Sequence, residues 1–224
     1  MKIGILGGTF NPPHIGHLIL AQEILFKLRL DKIFFVPANI PPHKNKELTP
    51  AYHRINMIKL AIKENNKFEV LDWEIKRGGI SYTVDTLREL KNAFPKDELY
   101  LIIGSDLAND FSNWKDYKEI FRLAKVVVAL REGSPLKEKD KSIPLEEYLE
   151  KNTKEDIILV RRENPNLSSP LTKFILVEVI QIKISSSLIR SLIKRQMSVR
   201  YLLSEEVEKY IKEKRLYQTE KERR

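Results

Sequence analysis

The stretch that decides the fold of this 224-residue chain is Gly7-Gly8-Thr9-Phe10-Asn11-Pro12-Pro13-His14-Ile15-Gly16-His17. A short apolar segment, residues 2–6, precedes it, and apolar residues recur at helical spacing from Ile15 onward. The pattern predicts a strand, a glycine-containing turn and a helix. In open α/β sheets, ligands bind where loops leave the carboxyl ends of the strands. We therefore expect this loop to carry a binding site.

Apolar runs and helical patterns continue to alternate over the first 130 residues. They predict strands at 33–36, 68–73, 99–103 and 126–130, and helices at 51–64 and 83–94. Thr49-Pro50 predicts an N-cap followed by proline at the first helical position. Such alternation indicates an α/β fold with a doubly wound parallel sheet. Later strands are expected at 157–160 and 174–184, followed by a small C-terminal helical part at 187–194 and 204–214.

The domain organisation is expected to be simple, with a single domain over residues 1–217. Residues 131–172 are largely polar and contain Gly and Pro, which predicts a surface excursion with one helix near 145–150. Residues 218–224 are predicted to form a frayed, charged tail.

Composition excludes several classes of protein. Hydrophobic residues make up 42% of the chain, enough for an ordinary core, and cysteine is absent. A disulfide scaffold, a thiolate nucleophile and a Cys-ligated metal site are therefore excluded. No apolar run reaches about 18 residues, and the N-terminal apolar stretch is too short for a signal peptide, so a cytoplasmic location is expected.

The net charge of +9 is compatible with an anionic partner or with a solvated, highly charged surface. The basic residues are not interleaved with aromatic residues, as a nucleic-acid groove would require. We expect small phosphorylated substrates as partners, with no nucleic acid and no membrane. Assembly into a homo-oligomer is left open.

His14 and His17 are three residues apart at a predicted helix start, so both can face one ligand. Glycines let the preceding backbone approach a phosphate, and the helix directs free N–H groups and its positive dipole end toward the same place. Donors placed where charge develops lower the barrier to phosphoryl transfer without a nucleophile. The pair therefore indicates a phosphoryl-transfer site.

A second candidate anion site lies near the C-terminus, at Ile184-Ser185-Ser186-Ser187-Leu188-Ile189-Arg190. Three serine hydroxyls and free backbone amides lie at the start of a predicted helix there. Arg190 follows Ser186 by four residues and can reach the same ligand from the next turn. Taken alone, the pattern is more typical of a serine-rich helix cap.

The two motifs together resemble those of the nucleotidyltransferase superfamily, with His14-Ile15-Gly16-His17 as His-x-Gly-His and the second as Ile-Ser-Ser-Thr-x-Ile-Arg. The resemblance implies a Rossmann-like fold and nucleotidyl transfer with release of pyrophosphate. It implies ATP contacts from Gly7, Gly8, Thr9, Phe10, His14, Gly16, His17, Ile184, Ser185, Ser186 and Arg190. Asn11 stands where many members have Asp, but both residues can cap the turn, so activity is expected.

Further stretches narrow the resemblance to the bacterial nicotinate-nucleotide adenylyltransferases: residues 37–44, 77–87, 103–106 with Trp114, and 199–211. The family implies transfer of AMP from ATP to nicotinate mononucleotide, forming deamido-NAD by direct in-line attack. It implies His14, His17, Lys44 and Arg190 as catalytic residues. The implied mononucleotide contacts are Asn11, Lys44, Ser81, Tyr82, Thr83, Asp106 and Trp114.

These assignments also make chemical sense residue by residue. Lys44 can neutralise a phosphate, Asp106 follows a strand and can accept ribose hydroxyls, and Trp114 can stack on a pyridine ring. Amides in the turn at residues 81–83 could bind the nicotinate carboxylate. The motifs contain no carboxylate cluster, so Mg²⁺ is expected to be carried by the ATP triphosphate, with no metal site on the protein.

Four alternatives are weighed against this reading. Nicotinamide mononucleotide as main substrate and a pantetheine-phosphate adenylyltransferase share the fold, although the 81–87 stretch, Trp114 and the chain length argue against the latter. A protein related to aminoacyl-tRNA synthetases, or one that binds tRNA, would need room for an anticodon-reading domain. A purely regulatory binding module would need neither histidine.

Overall fold

The computed structural model describes residues 1–42, 48–108, 110–130, 136–138, 141–143, 156–160, 172–180 and 182–218. The strands are β1 (Lys2–Gly8), β2 (Lys32–Pro37), β3 (Phe68–Val70), β4 (Glu98–Gly104), β5 (Lys125–Leu130), β6 (Leu136–Glu138), β7 (Lys141–Ile143), β8 (Asp156–Val160) and β9 (Thr172–Glu178). The helices are α1 (Ile15–Lys27), α2 (Ala51–Ile62), α3 (Trp73–Arg77), α4 (Thr83–Ala93), α5 (Ser105–Ala108), α6 (Tyr117–Leu123), α7 (Ser186–Lys194) and α8 (Glu205–Glu213).

Seven strands form one sheet in the order β3-β2-β1-β4-β5-β9-β8, and β6 pairs with β7 in a small antiparallel sheet. The pairings of β1 with β4, β4 with β5, β5 with β9 and β8 with β9 are parallel. From β1, the chain builds toward β2 and β3 on one side and toward β4 and β5 on the other. This reversal of strand order confirms the predicted doubly wound α/β fold, and ligands bind such sheets beside the reversal.

The central strands are buried because helices cover both faces of a doubly wound sheet. Leu99 to Ile103 in β4 and Val126 to Ala129 in β5 are nearly inaccessible to solvent. In register, Ile3 lies beside Leu99, and Leu101 lies beside Val126. A strand buried on both faces needs apolar side chains at every position, which is why continuous apolar runs predicted these strands correctly.

Several predicted boundaries are wrong, and β1 itself extends through Gly7 and Gly8, which were expected in the turn. The strand predicted at 68–73 ends at Val70, and residues 73–77 form α3, which ends where Gly78 takes a φ of +73°. The strand predicted at 174–184 ends at Glu178, which pairs with Leu130, the last residue of β5. Helix α2 begins at Ala51 with Pro50 as its N-cap, so Thr49 is not the cap.

The chain divides into two compact units. The first comprises Met1–Gly7, Leu20–Phe34 and Tyr82–Gln181, and the second comprises Gly8–Ile19, Phe35–Ser81 and Ile182–Arg224. The second unit has a core of its own, built by α2 and the C-terminal segment: Met57, Ile189, Val199, Leu203, Val207, Ile211, Leu216 and Tyr217. The C-terminal helices α7 and α8 were expected as a small helical part, and they lie in this second unit.

The predicted single domain over 1–217 stays a prediction. Within the predicted excursion at 131–172, the structure describes only β6, β7, β8 and the first residue of β9. The helix expected near 145–150 and residues 219–224 of the expected tail lie outside the described residues. No helix among the described residues is long and apolar enough to cross a membrane.

Candidate active site

The loop between β1 and α1 carries the first motif, and several segments hold its backbone. Phe10 has a φ of +46°, an unfavourable left-handed conformation for a residue with a side chain, and its ring is buried. The peptide bond between Asn11 and Pro12 is cis. The N–H of Ile15, the first residue of α1, donates to the carbonyl of Leu202 over 3.0 Å. The C-terminal segment therefore caps the helix that carries His17.

The two histidines of this loop form one stacked unit. Their ring centroids are 3.7 Å apart, and the backbone N–H of His14 donates to Nδ1 of His17 over 3.1 Å. A nitrogen that accepts a hydrogen bond carries no proton, so this bond assigns the proton of a neutral His17 to Nε2. Phe10 contacts the His17 ring edge-on at 5.1 Å. His17 thus presents an oriented N–H donor.

The glycines of the loop serve different purposes. A Cβ at Gly7 would meet no atom within 4 Å, so its backbone borders open space. A Cβ at Gly8 would lie 3.3 Å from the Phe10 ring, and one at Gly16 would lie 3.1 Å from Nδ1 of His14. Gly7 therefore suits the close approach of a phosphate, whereas Gly8 and Gly16 leave room for two buried rings.

The second motif starts α7 and contacts the first motif directly. Ser185 is the N-cap, and its hydroxyl accepts the N–H of Leu188 over 3.1 Å. The hydroxyl of Ser186 donates to the carbonyl of Pro12 over 2.8 Å. Arg190 donates from Nη1 to the carbonyl of Asn11 over 2.6 Å and from Nη2 to the hydroxyl of Ser187 over 3.1 Å. The two motifs, about 170 residues apart in sequence, thus meet in one site within the second unit.

These bonds narrow what the second motif can offer a ligand. The hydroxyl of Ser186 donates within the chain, whereas that of Ser185 only accepts and keeps its O–H for another acceptor. That O–H and the main-chain N–H groups at the start of α7 are therefore the donors suited to an anion. Ile184, half-buried, directly precedes the cap. The serine-rich cap and the anion site are therefore compatible interpretations of one helix start.

Asn11 is 2% exposed and joins several segments. Its Oδ1 accepts the hydroxyl of Tyr217 over 2.9 Å and the N–H of Thr49 over 3.4 Å. Its carbonyl accepts from Arg190. These intramolecular bonds use the side-chain oxygen of Asn11. A mononucleotide contact from Asn11 stays a prediction. The burial of Phe10 likewise leaves only its main chain for the predicted ATP contact.

Arg54 is a site residue that sequence reasoning missed. Its side chain is 2% exposed, and burial lowers its pKa. It donates from Nη1 to the carbonyls of Thr9 (2.9 Å) and Ala38 (2.7 Å), and from Nε to that of Thr49 (3.0 Å). One guanidinium thus joins the first motif to both ends of the loop that contains Lys44. An arginine on the apolar stripe of α2, beside Met57 and Ile58, was the available signal.

Lys44 itself lies outside the described residues, so its predicted role stays a prediction. The loop before it is fixed at its start by a second set of contacts. The N–H of Asn39 donates to the hydroxyl of Ser81 over 2.8 Å, and its Nδ2 donates to the carbonyl of Gly79 over 2.9 Å. The N–H of Ser81 donates to the carbonyl of Ile40 over 2.8 Å. Ser81 therefore supports this loop, and its amide is not open to a ligand.

In the first unit, the start of α4 carries the other residues of the predicted carboxylate site. Tyr82 is the N-cap and provides no side-chain hydrogen bond to the helix start. Lys115 lies over the Tyr82 ring at 4.6 Å and donates to Asp85 over 2.9 Å. Thr83 opens the helix. The first-turn N–H groups of α4 form a region suited to a carboxylate, whereas the charge of Lys115 is already paired with Asp85.

Trp114 lies beside that region, because it directly precedes Lys115. Its indole is half-buried and packs on the buried Phe111 ring at 5.2 Å, so it combines core packing with an accessible part. Arg88 of α4 donates to Asp85, Asp116 and Glu119, joining α4 to the Trp114 segment. The sequence analysis did not identify Arg88 and Lys115, which bond α4 to residues 115–119.

Asp106 is exposed in the first turn of α5, directly after β4. A Cβ at Gly104 would collide with its carboxylate, so the glycine makes room for this acidic side chain at the strand end. The placement at a strand's carboxyl end agrees with the expected one, and ribose binding by Asp106 stays a prediction.

Comparison with known proteins adds independent information. The model of the cytidylyltransferase-like family matches residues 5–192. Curated relatives from Geotalea daltonii and Geobacter sp. (strain M21) are 42% and 43% identical, each over 97% of this chain and 98% of the relative. A relative from Bacillus licheniformis is 38% identical over 97% of this chain and 99% of its own length. All three are named "Probable nicotinate-nucleotide adenylyltransferase". The chain belongs to the nicotinate-nucleotide adenylyltransferases of the cytidylyltransferase-like family.

Solved structures agree with this membership at the level of the fold. A structure of Plasmodium falciparum nicotinic acid mononucleotide adenylyltransferase complexed with NaAD has a TM-score of 0.73 at 21% identity, covering 96% of this chain and 97% of that one. A second structure of that protein, complexed with APC, has a TM-score of 0.70 at 20% identity. The predicted Rossmann-like fold of a nicotinate-nucleotide adenylyltransferase is confirmed.

The residues that the structure describes in this adenylyltransferase offer no evident site for a resident metal. They contain no group of three or more His, Asp or Glu side chains placed to bind one ion. The donors around the first motif are N–H groups, guanidinium groups and imidazoles, which suit phosphate oxygens better than a cation.

Proposed function

We propose that this chain transfers AMP from ATP to nicotinate mononucleotide, forming deamido-NAD and pyrophosphate. The observation that carries the proposal is the 42% identity to a nicotinate-nucleotide adenylyltransferase over 97% of this chain. The oriented Nε2–H of His17 and the open backbone of Gly7 add a chemical reason, since both suit the phosphates of ATP.

In the proposed reaction, a phosphate oxygen of the mononucleotide attacks the α-phosphorus of ATP. The new P–O bond forms as the bond to the pyrophosphate oxygen breaks, and pyrophosphate leaves with that electron pair. His17 donates to the α-phosphate, whose negative charge grows in the transition state, and His14 supports its ring by stacking. The N–H groups at the start of α7, with Arg190 and Lys44, balance the charge of the remaining phosphates.

Mg²⁺ is assigned to the triphosphate in this proposal. Magnesium usually keeps several waters and binds substrate phosphates with one or two carboxylates, rather than an all-protein cage. The N–H, imidazole and guanidinium donors of the described site fit a triphosphate that brings its own cation. These donors and Mg²⁺ can bind different oxygens of the same triphosphate.

Preference for the acid over the amide is assigned to the start of α4. A carboxylate gains from the N–H groups of Thr83 and Val84 at the start of this helix. The amide would direct an NH₂ group at these donors. An unpaired buried polar group costs about 1–3 kcal/mol, which corresponds to roughly ten- to a hundredfold in catalytic efficiency.

The experiment is to supply the purified chain with Mg²⁺-ATP and, separately, nicotinate mononucleotide, nicotinamide mononucleotide or phosphopantetheine. Pyrophosphate release and product mass are then measured. We expect release with nicotinate mononucleotide at an efficiency at least about tenfold above that with the amide. The His17→Ala variant serves as the inactive control.

Two outcomes contradict the proposal. Faster turnover of phosphopantetheine would assign a different acceptor, and equal efficiencies for the two mononucleotides would remove the acid preference. Trp114→Ala is the matched variant for the pyridine site. It is expected to raise KM for both mononucleotides while leaving their ratio unchanged, because a stacked ring does not distinguish an acid from an amide.

A further inference from the structure

Tyr217 lies beyond the last helix, near the end of the described residues. The chain leaves α8 through Arg215, whose φ is +48°, and the N–H of Leu216 donates back to the carbonyl of Ile211 over 3.0 Å. Tyr217 then takes a φ of +63°, which is unfavourable for an aromatic residue. Such backbone strain persists only where the surrounding contacts fix the conformation. The contacts of the Tyr217 side chain therefore hold its backbone in this conformation.

The first contact is apolar. The Tyr217 ring is 8% exposed and belongs to the core of the second unit, together with Met57 and Ile189. Phenylalanine would provide this packing equally well, so packing does not explain the hydroxyl.

The second contact is the hydroxyl, which donates to Oδ1 of Asn11 over 2.9 Å, across 206 residues of sequence. Burial raises the pKa of Tyr217 to about 12, although Thr49 and the charges of Arg190 and Arg54 act in the opposite direction. The hydroxyl therefore stays protonated at neutral pH and acts as a donor.

Asn11, which accepts this bond, also contacts other residues of the candidate site. Its carbonyl accepts from Arg190, and its Oδ1 also accepts the N–H of Thr49, at the end of the Lys44 loop. Asn11 lies three residues before His14. A shift of Asn11 would therefore move the backbone that carries the histidines and the acceptor that orients Arg190.

We propose that Tyr217 is a positioning residue for nucleotidyl transfer, acting through Asn11 to hold the Gly7–His17 loop in its reactive arrangement. The C-terminal segment thus contributes to the active site as well as to the core. The proposal rests on the proposed function for its kinetic readout. The competing explanation is that Tyr217 only fills the core and that its hydroxyl takes the nearest acceptor.

The chain offers a matched control in Tyr210. Its ring packs against the same core, and its hydroxyl is bonded to Nδ1 of His53 (2.8 Å) and to Nδ2 of Asn56 (3.2 Å), away from the loop. Tyr217→Phe and Tyr210→Phe each remove one tyrosine hydroxyl, and both rings pack in the same C-terminal core. We expect both variants to fold with similar melting temperatures. Tyr217→Phe should lower kcat by about tenfold, with a smaller change in KM, while Tyr210→Phe keeps the kcat of the unchanged protein.

A double-mutant cycle tests the route through Asn11. If Tyr217 acts through that side chain, Tyr217→Phe should cause no further loss of kcat in an Asn11→Ala background. Independent, additive losses would overturn the proposal, as would a Tyr217→Phe variant whose kcat matches that of Tyr210→Phe.

The spectrum of ¹⁵N-labelled histidine separates this proposal from the proposed function. Tyr217→Phe should shift the ring signals of His14 and His17, and Tyr210→Phe should shift mainly that of His53. If the unchanged protein releases no pyrophosphate with either mononucleotide, the proposed function fails. The histidine spectra then still decide whether Tyr217 positions the loop, and unshifted His14 and His17 signals would overturn that.

Discussion

The backbone N–H of His14 donates to Nδ1 of His17 over 3.1 Å, and the two rings stack with centroids 3.7 Å apart. The His-x-Gly-His spacing produces this bond at a helix start, and Gly16 leaves the room for the His14 ring. The consequence is chemical, because a His17 whose Nδ1 accepts a bond presents Nε2–H as a donor. A hydrogen bond within the motif therefore favours one tautomer of its second histidine.

Substitutions of His17 should distinguish the contribution of Nε2 to turnover from that of Nδ1. His17→Ala is expected to lower kcat by on the order of a hundredfold or more, with a smaller effect on ATP affinity, because it removes a donor to charge that grows in the transition state. His17→Gln places an amide NH₂ near the position of Nε2, and His17→Asn places its amide near Nδ1. Steady-state kinetics should show greater activity for Gln than for Asn. Near-normal turnover of His17→Ala would exclude His17 from the mechanism.

Arg190→Ala is expected to weaken ATP binding and to disturb Asn11, since the guanidinium donates to the Asn11 carbonyl. A hydrogen bond from a charged group contributes about 1.5–3 kcal/mol, so KM for ATP should rise roughly ten- to a hundredfold. Arg190→Lys should not restore it, because an ammonium cannot fork across two acceptors. Ser187→Ala is the control: it removes only the exposed partner of Arg190 and should bind ATP normally. Normal ATP affinity in both Arg190 variants would show that the phosphate assignment is wrong.

Arg54→Met should reduce stability and activity together. The change leaves the carbonyls of Thr9, Ala38 and Thr49 without their donor in a buried position. Each unpaired group costs about 1–3 kcal/mol, so the free energy of unfolding should fall by about 3 kcal/mol or more. Lys59→Met on the exposed side of α2 removes the same charge and should change stability little. Chemical denaturation curves of both variants give the comparison, and equal stabilities would contradict the structural role of Arg54.

The ion pairs of Arg88 predict a pH dependence of stability. A hydrogen bond from Arg88 lowers the pKa of Glu119 below its ordinary value of 4.5. Burial acts to raise the pKa of Asp85, but Lys115 and Arg88 outweigh it and lower that pKa below 3.8. Carboxyl groups with lowered pKa values stabilise the fold above their unfolded values and lose this contribution as the pH falls through the folded ones.

Melting temperatures at pH 6 and pH 3 test this dependence. The unchanged protein should lose more stability between the two pH values than Arg88→Met, whose carboxyl groups keep pKa values closer to normal. The difference between the two proteins should therefore be larger at pH 6. A gap that is equal at both pH values would show that these pairs contribute nothing to folding.

Much of the fold followed from local pattern. The apolar runs of β4 and β5 predicted central parallel strands, because burial on both faces admits only apolar side chains. The Gly7–His17 stretch predicted the order of strand, turn and helix correctly, because each step depends on neighbours in sequence, although β1 extends through Gly7 and Gly8. Edges were less predictable: Leu71 to Trp73 were assigned to a strand, but β3 ends at Val70 and α3 begins at Trp73.

Some residues of the candidate site could likewise be predicted from the sequence, and others could not. Its two motifs, with His14, His17, Ser186 and Arg190, could be found from residue types and short spacings, since helix geometry and phosphate chemistry act over a few residues. Arg54, Lys115 and Tyr217 could not, because they donate hydrogen bonds to acceptors that are far away in sequence.

The sequence by itself determined the layered α/β architecture, the place of the phosphate site after β1 and the family to which the chain belongs. Only the tertiary structure decided which groups of that site are open to ligands and which are bonded within the chain. Ser81 and Asn11 show the difference: both were expected at the mononucleotide, and both have buried polar atoms bonded to other segments. The physical reason is that a buried polar group must find a partner, and only the folded chain decides which distant segment supplies it.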